Sequence, residues 1–451
     1  MHILLVEPNF PYPTKSKNKA NGVHKNFVPI GLLKLGNYHK SLGDKVKLVR
    51  GKKTKKEIDY FKPVKILITS LFTYWSKYVW DTVEYYRKLF PKAKIIIGGV
   101  YVTLHHETEE FKNLARKYKV NYEKGVNQNA ENFLPDYSLI EGKIDYHVMH
   151  GMRGCIRRCK FCGTWKIEPK MTYKNADEII KEIIKVGKNR VIFYDNNFLA
   201  NPHKKEILKE IVNLRINGRP VSFESQSGFD GRLLSAEPDL AVMLKKARFY
   251  NIRIAWDNDL KDAKLIKKQL VHLLKAGYPS KDIAVFMIYN FDTPYEAMLK
   301  KLEYCKKWGV QVADCRYRPL ESASDNFQPS MWRRGQTEKD YYIHTKVGWS
   351  DTKIRDFRKR ARQHNIEIRY DHPYNKKMEK WSAIHNTFKF FKIGRPPQIN
   401  KIENSKFLQM RVDLLNRLKN LYKKNNLEPP NLKNISIKGI NEFLNNFIKR
   451  E

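Results

Sequence analysis

Apolar residues along this chain fall into two alternating patterns, short continuous runs and longer stretches in which they recur at helical spacing. His2–Val6 is a short run of the kind a buried strand shows. A loop rich in Pro, Lys and Asn follows from Pro8 to Pro29. Ile30–Ser41 then reads as a helix, with Leu32, Leu33 and Leu35 clustered and Gly43 closing it. Further strands are expected at Lys45–Val49, Val64–Ser70 and Lys94–Gly98, and a helix at Asp81–Phe90. This βαβαβ order predicts a Rossmann-like, doubly wound parallel sheet. The less regular stretch Val120–Ile144, with Leu134-Pro135-Asp136 inside it, reads as a linker.

The middle of the chain is more regular. Strands are predicted at Tyr146–Gly151, Arg190–Tyr194, Val221–Ser225, Ile252–Trp256, Ile283–Ile288 and Val312–Tyr317, separated by helical patterns such as Ala176–Val186. Six βα units predict a partial (β/α)6 barrel, whose chemistry gathers at the C-terminal strand ends. Beyond residue 330 the pattern becomes basic, aromatic and helical, in Met331–Arg334, Lys353–Arg362, Phe407–Lys424 and Ile440–Arg450. The expected fold class is therefore α/β with a mostly helical basic C-terminal region. The expected divisions are 1–140, 141–330 and 331–451.

Composition narrows the class. The chain has 451 residues and a hydrophobic fraction of 41%, enough to bury real cores. No run approaches the roughly 18 apolar residues of a membrane span, and the N-terminus turns polar too soon for a secretory signal. A cytoplasmic protein is expected. The formal net charge is +40, divided as +13 over residues 1–140, +16 over 331–451 and +11 between them. Two readings stand: a Lys-rich compositional bias on solvated faces, or a polyanionic partner, nucleic acid first. Arg333, Arg334, Arg355, Arg358 and Arg360 are the candidate contacts for such a partner.

Three of the five cysteines crowd into Gly151-Met152-Arg153-Gly154-Cys155-Ile156-Arg157-Arg158-Cys159-Lys160-Phe161-Cys162, a C-x3-C-x2-C spacing. Three thiolates on one tight loop can ligate three irons of a cubane and leave the fourth open to a chelating substrate. Zinc is the alternative, but a structural zinc needs a closed four-ligand shell. With Cys305 and Cys315 far away in sequence, His147 or His150 would have to complete it. Cys305 and Cys315 themselves read as core thiols, with the alternative that Cys315, on the last strand of the array, faces the cavity.

The motif, with an aromatic residue just before its third cysteine and a strand just before the loop, resembles that of the radical S-adenosylmethionine superfamily. The resemblance covers roughly residues 145–320. It implies a 4Fe–4S cluster on Cys155, Cys159 and Cys162, S-adenosylmethionine chelating the open iron, and a 5′-deoxyadenosyl radical as the reactive product. It also implies a reductant such as a ferredoxin or flavodoxin. Phe161 is then expected beside the adenine. Many members carry Gly-Gly-Glu after the second strand; here Tyr194-Asp195-Asn196-Asn197 stands instead, which makes Asp195 or Asn196 the candidate for the methionyl amine. Glu224, Ser225 and Asp257 are placed where ribose and carboxylate contacts are expected, and Arg316 or Arg318 as a carboxylate clamp. Arg153, Arg157 and Arg158 would offset cluster charge, meet an anionic substrate, or simply be solvated.

Residues 1–110 resemble the cobalamin-binding-like domain that precedes the radical domain in one subgroup, on Leu4-Leu5-Val6-Glu7-Pro8, Pro29-Ile30-Gly31-Leu32-Leu33 and Gly98-Gly99-Val100-Tyr101-Val102-Thr103. The resemblance implies that Gly98 and Gly99 admit a large ring or its nucleotide tail, with Thr69 or Ser70 hydrogen-bonded to it. The Asp-x-His-x-x-Gly signature is absent, and His105 and His106 read as surface residues. Together these expectations describe a cobalamin-dependent radical methyltransferase. Two rivals remain: a cobalamin-free radical enzyme modifying RNA, and a nucleic-acid-binding module with a zinc knuckle.

Overall fold

The computed structural model describes residues 1–11, 28–142, 144–330, 333–371 and 373–374. One compact unit comprises Met1–Pro11 and Asn26–Arg362, and a second comprises Tyr12–Lys25 and Gln363–Glu451. The helices expected at 407–424 and 440–450 lie outside the described residues, as do Met331 and Trp332. Among the described residues no helix is long and apolar enough to cross a membrane.

The N-terminal sheet contains β1 (His2–Glu7), β2 (Lys45–Arg50), β3 (Lys65–Ser70), β4 (Lys94–Gly99) and β5 (Asn121–Glu123). All pairs are parallel, in the order β2-β1-β3-β4-β5. The chain runs from β1 outward to β2 and returns on the other side of β1, so the order reverses between β1 and β3. Ile3, Leu4, Leu5 and Val6 are all fully buried. Both faces of β1 are covered, which is why it reads as a continuous apolar run rather than an alternation. Helix α1 (Ile30–Ser41) buries Leu32 and Leu33, and Leu32 shares a cluster with Ile3, Leu5 and Leu67. Helix α2 (Ser76–Leu89) begins earlier than its pattern suggested, because Ser76, Val79 and Trp80 are buried despite the polar residues among them. The stretch read as a linker supplies β5, whose register against β4 runs from Ile96↔Asn121 to Gly98↔Glu123.

Six further parallel strands follow: β6 (His147–Met149), β7 (Arg190–Phe193), β8 (Ser222–Ser225), β9 (Arg253–Ala255), β10 (Ala284–Tyr289) and β11 (Gln311–Arg316). They form two three-stranded sheets, β6-β7-β8 and β9-β10-β11. Isolated parallel bridges at Phe223↔Phe249 and Phe229↔Ile254 connect one set to the other. Helices alternate with them. In α3 (Ala176–Val186) Asn175 and Glu178 form a reciprocal capping box, a cap worth about 1 kcal/mol. Phe193, Phe223 and Phe249 stack at ring separations of 5.4 to 6.0 Å beneath the strand ends. Helices α4 (Ala263–Lys275) and α5 (Tyr295–Trp308) flank β10 in sequence. Cys305 is buried in α5, whereas the Cys315 thiol on β11 is exposed.

The array is followed by α6 (Asp351–Tyr370). Its start corrects the expectation that five arginines form one polyanion site. Arg355 is buried and holds Asp351 at 2.9 Å and the carbonyls of Gln328, Ser330 and Arg333 at 2.7 to 3.0 Å. Arg358 lies over the Phe327 ring, and Arg360 pairs with Asp356. Only Arg333 and Arg334 of the five are exposed with no internal ion pair among the described residues. Arg355 is committed to the fold, whereas Arg360 remains 53% exposed beside its partner.

Candidate active site

The loops after β6, β7, β8, β9 and β10 line one cavity of about 1160 Å³. Cys155, Cys159, Cys162 and Phe161 come from the first loop, Asn196 and Asn197 from the second, and Asp230 and Arg232 from the third. Trp256 and Asp257 come from the fourth, and Phe291 to Pro294 from the fifth. Strand geometry explains the convergence. Parallel strands in sequential order leave all their C-terminal ends on one side, so short loops from each meet there.

The cysteine loop is held by its own polar residues. Gly154 has φ +79°, and a Cβ there would lie 3.1 Å from the Lys170 carbonyl oxygen, so a side chain is excluded twice over. The Gly154 N–H donates to Glu168 Oε2 at 2.8 Å, and Asn196 Nδ2 donates to the same oxygen at 2.9 Å. Arg153 bridges Glu168 at 2.8 Å and grips Glu131 with two bonds of 2.8 and 2.9 Å. Within the loop, the Arg157 N–H points at Cys155 Sγ (3.4 Å) and the Thr164 N–H at Cys162 Sγ (3.5 Å). Such donors stabilise thiolates. All three thiols are half-buried. Burial raises the Cys159 pKa, with the Asp257 and Cys162 charges adding to it and Arg232 opposing.

The donor chemistry fits a cubane. A structural zinc closes a shell of four ligands around one ion. A cubane instead distributes its thiolates over separate irons. The cavity also offers unsatisfied acceptors. Asn197 Oδ1 and Gln269 Oε1 are both deeply buried, line the cavity and have no hydrogen-bond partner. A ligand bearing an ammonium, ribose hydroxyls and an aromatic amine matches them, as S-adenosylmethionine does. Phe161 meets Phe291 edge to face at 5.9 Å, forming an aromatic wall. Asp257 is pushed up to about 6 by burial, opposed by the positive charges of Lys301 and Arg232. Lys301 is fully buried and donates to the carbonyls of Trp256 and Asn258, which fixes the turn carrying Asp257.

Several expected contacts are revised. Asp195 is completely buried and accepts the N–H groups of Gly151 (3.1 Å) and Met152, so it fastens the first loop rather than facing the cavity. Burial pushes it up to about 7 against those two bonds. Glu224 is buried in a pair with Arg253 and accepts from Asn251 at 3.2 Å. The Ser225 hydroxyl donates to the Gly228 carbonyl. Arg316 and Arg318 both close on Asp325, at 2.6 and 3.0 Å, and Arg318 covers the Tyr74 ring. None of these five residues lines the cavity. Asn196, Asp257 and Phe161 do.

The N-terminal expectations are also corrected. Gly99 has φ +102°, and a Cβ would meet the Ser70 carbonyl oxygen at 2.2 Å. A Gly98 Cβ would lie 3.4 Å from the Glu123 carbonyl oxygen, and the Ser70 hydroxyl donates to the Gly98 carbonyl at 2.7 Å. The small residues serve strand-to-strand packing on the side a Cβ would occupy. The nearby cavity that Gly98, Gly99 and Thr69 line measures about 470 Å³, smaller than a corrin with its tail. His105, expected on the surface, is buried with Nε2 2.8 Å from the Leu320 carbonyl oxygen.

Sequence reasoning missed Glu168, Glu131, Asp230 and Lys301. Asp230 binds Arg157 at 2.9 Å and Arg232 at 2.8 Å, and so ties the cysteine loop to the β8 loop. Glu168 did leave a signal: it is the lone acidic residue among six basic ones between Arg157 and Lys174.

Residues 149–312 match the family described as the Radical SAM superfamily. Enzymes of that family use a 4Fe–4S cluster and S-adenosylmethionine and require an electron donor. No curated protein matches the chain. Among solved structures, the carboxyl transferase domain of Rhizobium etli pyruvate carboxylase with pyruvate and biocytin aligns at 12% identity and a TM-score of 0.19. That alignment covers 87% of this chain and 53% of the other, so the chain spans about half that structure's length. A TM-score of this size carries no structural argument.

Proposed function

We propose that this chain is a radical S-adenosylmethionine enzyme whose partial barrel holds a 4Fe–4S cluster on Cys155, Cys159 and Cys162. The observation that carries the reading is one cavity wall shared by three half-buried thiols, Phe161, Asp257 and the orphaned oxygens of Asn197 and Gln269. When bound, cluster and S-adenosylmethionine supply a 5′-deoxyadenosyl radical that abstracts hydrogen from an unactivated carbon. The protein's own part is positioning. Phe161 and Phe291 offer ring surface to an adenine, while Asp257 and the two amide oxygens accept from amine and hydroxyl donors. Asp230 draws Arg157 and Arg232 together at the rim, and Lys301 holds the Asp257 turn from behind.

A narrower reading, cobalamin-dependent methyl transfer, is supported by the N-terminal strand order. Its reversal between β1 and β3 creates the crevice in which open α/β sheets bind ligands. The packing of Ser70, Gly98 and Gly99 between neighbouring strands lends that reading nothing further. The rival, a cobalamin-free enzyme acting on RNA, draws on the net charge and on exposed Arg333 and Arg334.

Anaerobically reconstituted protein tests the reading. It should bind about four irons and cleave S-adenosylmethionine to 5′-deoxyadenosine, and a C155A/C159A/C162A variant should do neither. Cleavage retained by that variant would overturn the assignment. Hydroxocobalamin added to the same preparation separates the two narrower readings: a shift of its visible spectrum on binding selects the cobalamin-dependent one, and an unchanged spectrum the cobalamin-free one.

A further inference from the structure

The cysteine loop has an outer face that the cavity does not use. Among the described residues sixteen large hydrophobic side chains are exposed, and four of them fall on this loop: Ile156, Trp165, Met171 and Tyr173, at 37 to 45% exposure. None lines the cavity. Met171 and Tyr173 also meet in space, the Tyr173 hydroxyl donating to Met171 Sδ at 3.4 Å. The strand pair Met152–Arg153 and Thr172–Tyr173 is antiparallel, and the Met171 side chain lies against Gly154, one residue before Cys155. Trp165 follows Cys162 by three positions, with the Lys166 ammonium over its ring at 5.3 Å.

The rim of this patch is cationic. Lys166 and Lys170 are exposed beside it. Lys166 has a loose ion pair with Glu321 at 3.8 Å, and Lys170 has none among the described residues. The one acid of the segment, Glu168, turns inward to Arg153 and Gly154. Exposed Trp, Tyr and Met side chains on one short segment, with charged residues between them, have the composition of a protein-binding surface.

The geometry points to this face as the docking surface for an acidic protein that carries one electron, of the low-potential flavin or iron–sulfur class. The inference rests on the reading above, which places a redox group on the thiols immediately beneath. Charge complementarity selects the partner: lysines attract carboxylates and steer the encounter, and the apolar centre supplies the contact. Electron-transfer encounters of this kind bury little area, below about 1,200 Å² in total. In the complex the reduced carrier loses one electron and the enzyme's cluster gains one. No bond forms or breaks at the patch, and no proton needs to move there.

The test uses reconstituted full-length enzyme with two reductants, sodium dithionite and an acidic flavodoxin reduced to its hydroquinone. In a K166E/K170E variant, dithionite should drive 5′-deoxyadenosine formation at the wild-type rate. With flavodoxin, the concentration for half-maximal rate should rise about tenfold at low salt. The difference should shrink as added salt screens the charges. W165A should weaken the flavodoxin reaction at every salt concentration. Flavodoxin kinetics unchanged in K166E/K170E at low salt would overturn the docking surface. Unchanged flavodoxin kinetics accompanied by lost tRNA binding would overturn it in favour of a polyanion. If the wild type makes no 5′-deoxyadenosine with dithionite, the radical reading itself fails, and this surface with it.

Discussion

Glu168→Gln isolates the anchoring of the cysteine loop from the chemistry the loop supports. The native carboxylate is only 10% exposed and ends three donors: Arg153 Nη1 on one oxygen, and the Gly154 N–H and Asn196 Nδ2 on the other. A glutamine keeps the shape and has one acceptor oxygen. If that oxygen stays with Gly154 and Asn196, the new amide N–H faces the Arg153 guanidinium, and one charge-assisted bond becomes a donor–donor contact. Losing such a bond costs about 1.5–3 kcal/mol. Arg153 keeps Glu131, which limits the damage to this range. A cost of about 2 kcal/mol placed on the ordered loop lowers the population ready to take up a cluster roughly thirtyfold. Global stability should fall by only a few degrees in Tm. The assay is iron per chain after reconstitution at limiting iron, alongside thermal unfolding of the apoprotein. The control is Glu182→Gln, a carboxylate of equal burial that accepts from His147 at 3.0 Å and Lys174 at 2.6 Å away from the cysteines. If E168Q binds iron like the wild type, or E182Q loses as much iron as E168Q, the anchoring argument is wrong.

Two other expectations concern stability. Burial works against the Glu182 charge, but His147 and Lys174 hold its pKa down at about 2, against an ordinary 4.5. Because the folded value is depressed, this contribution of about 3 kcal/mol is complete above pH 4.5 and is lost as pH falls toward 2; urea midpoints of wild type and E182Q should differ at pH 6 and converge by pH 2. Arg355→Gln breaks a buried pair and should cost about 3–5 kcal/mol while leaving the salt dependence of tRNA binding unchanged, whereas R333Q/R334Q should leave Tm nearly unchanged. A reduced salt slope in R355Q with wild-type Tm would restore Arg355 to the polyanion surface.

Much of this architecture was legible in the residues because backbone periodicity and burial agree. Ile30–Ser41 and Ala176–Val186 have the boundaries their patterns predict, and each of the six later strands lies within two residues of its apolar run. The cysteine spacing identified the loop, and Phe161, Asn196 and Asp257 line the cavity beside it. What sequence concealed was partner choice. Arg316 and Arg318 look equally able to clamp a ligand carboxylate or a protein one, and Asp325 decides the matter only once the chain is folded. Gly98-Gly99 suggested room for a cofactor, yet the glycines are also required by the close approach of the Ser70 and Glu123 backbones, which no local pattern announces. Asn121–Glu123 escaped notice because all three of its residues are exposed, so its strand pairing carries no apolar signal.

The grip of Arg153 on Glu131 has a bearing on how this protein can be divided. Arg153 sits immediately before the cysteine loop, but its two-bonded carboxylate comes from the segment that joins the N-terminal sheet to the six-strand array, where Lys34 of α1 meets the same acid at 3.2 Å. A fragment cut at residue 141 would contain every cysteine and every strand of the array, yet would leave a largely buried guanidinium with half its counter-charge. Grafting this array onto another N-terminal half, by recombination or by design, would therefore have to bring Glu131 along. The inheritable module is longer than the one the metal ligands define.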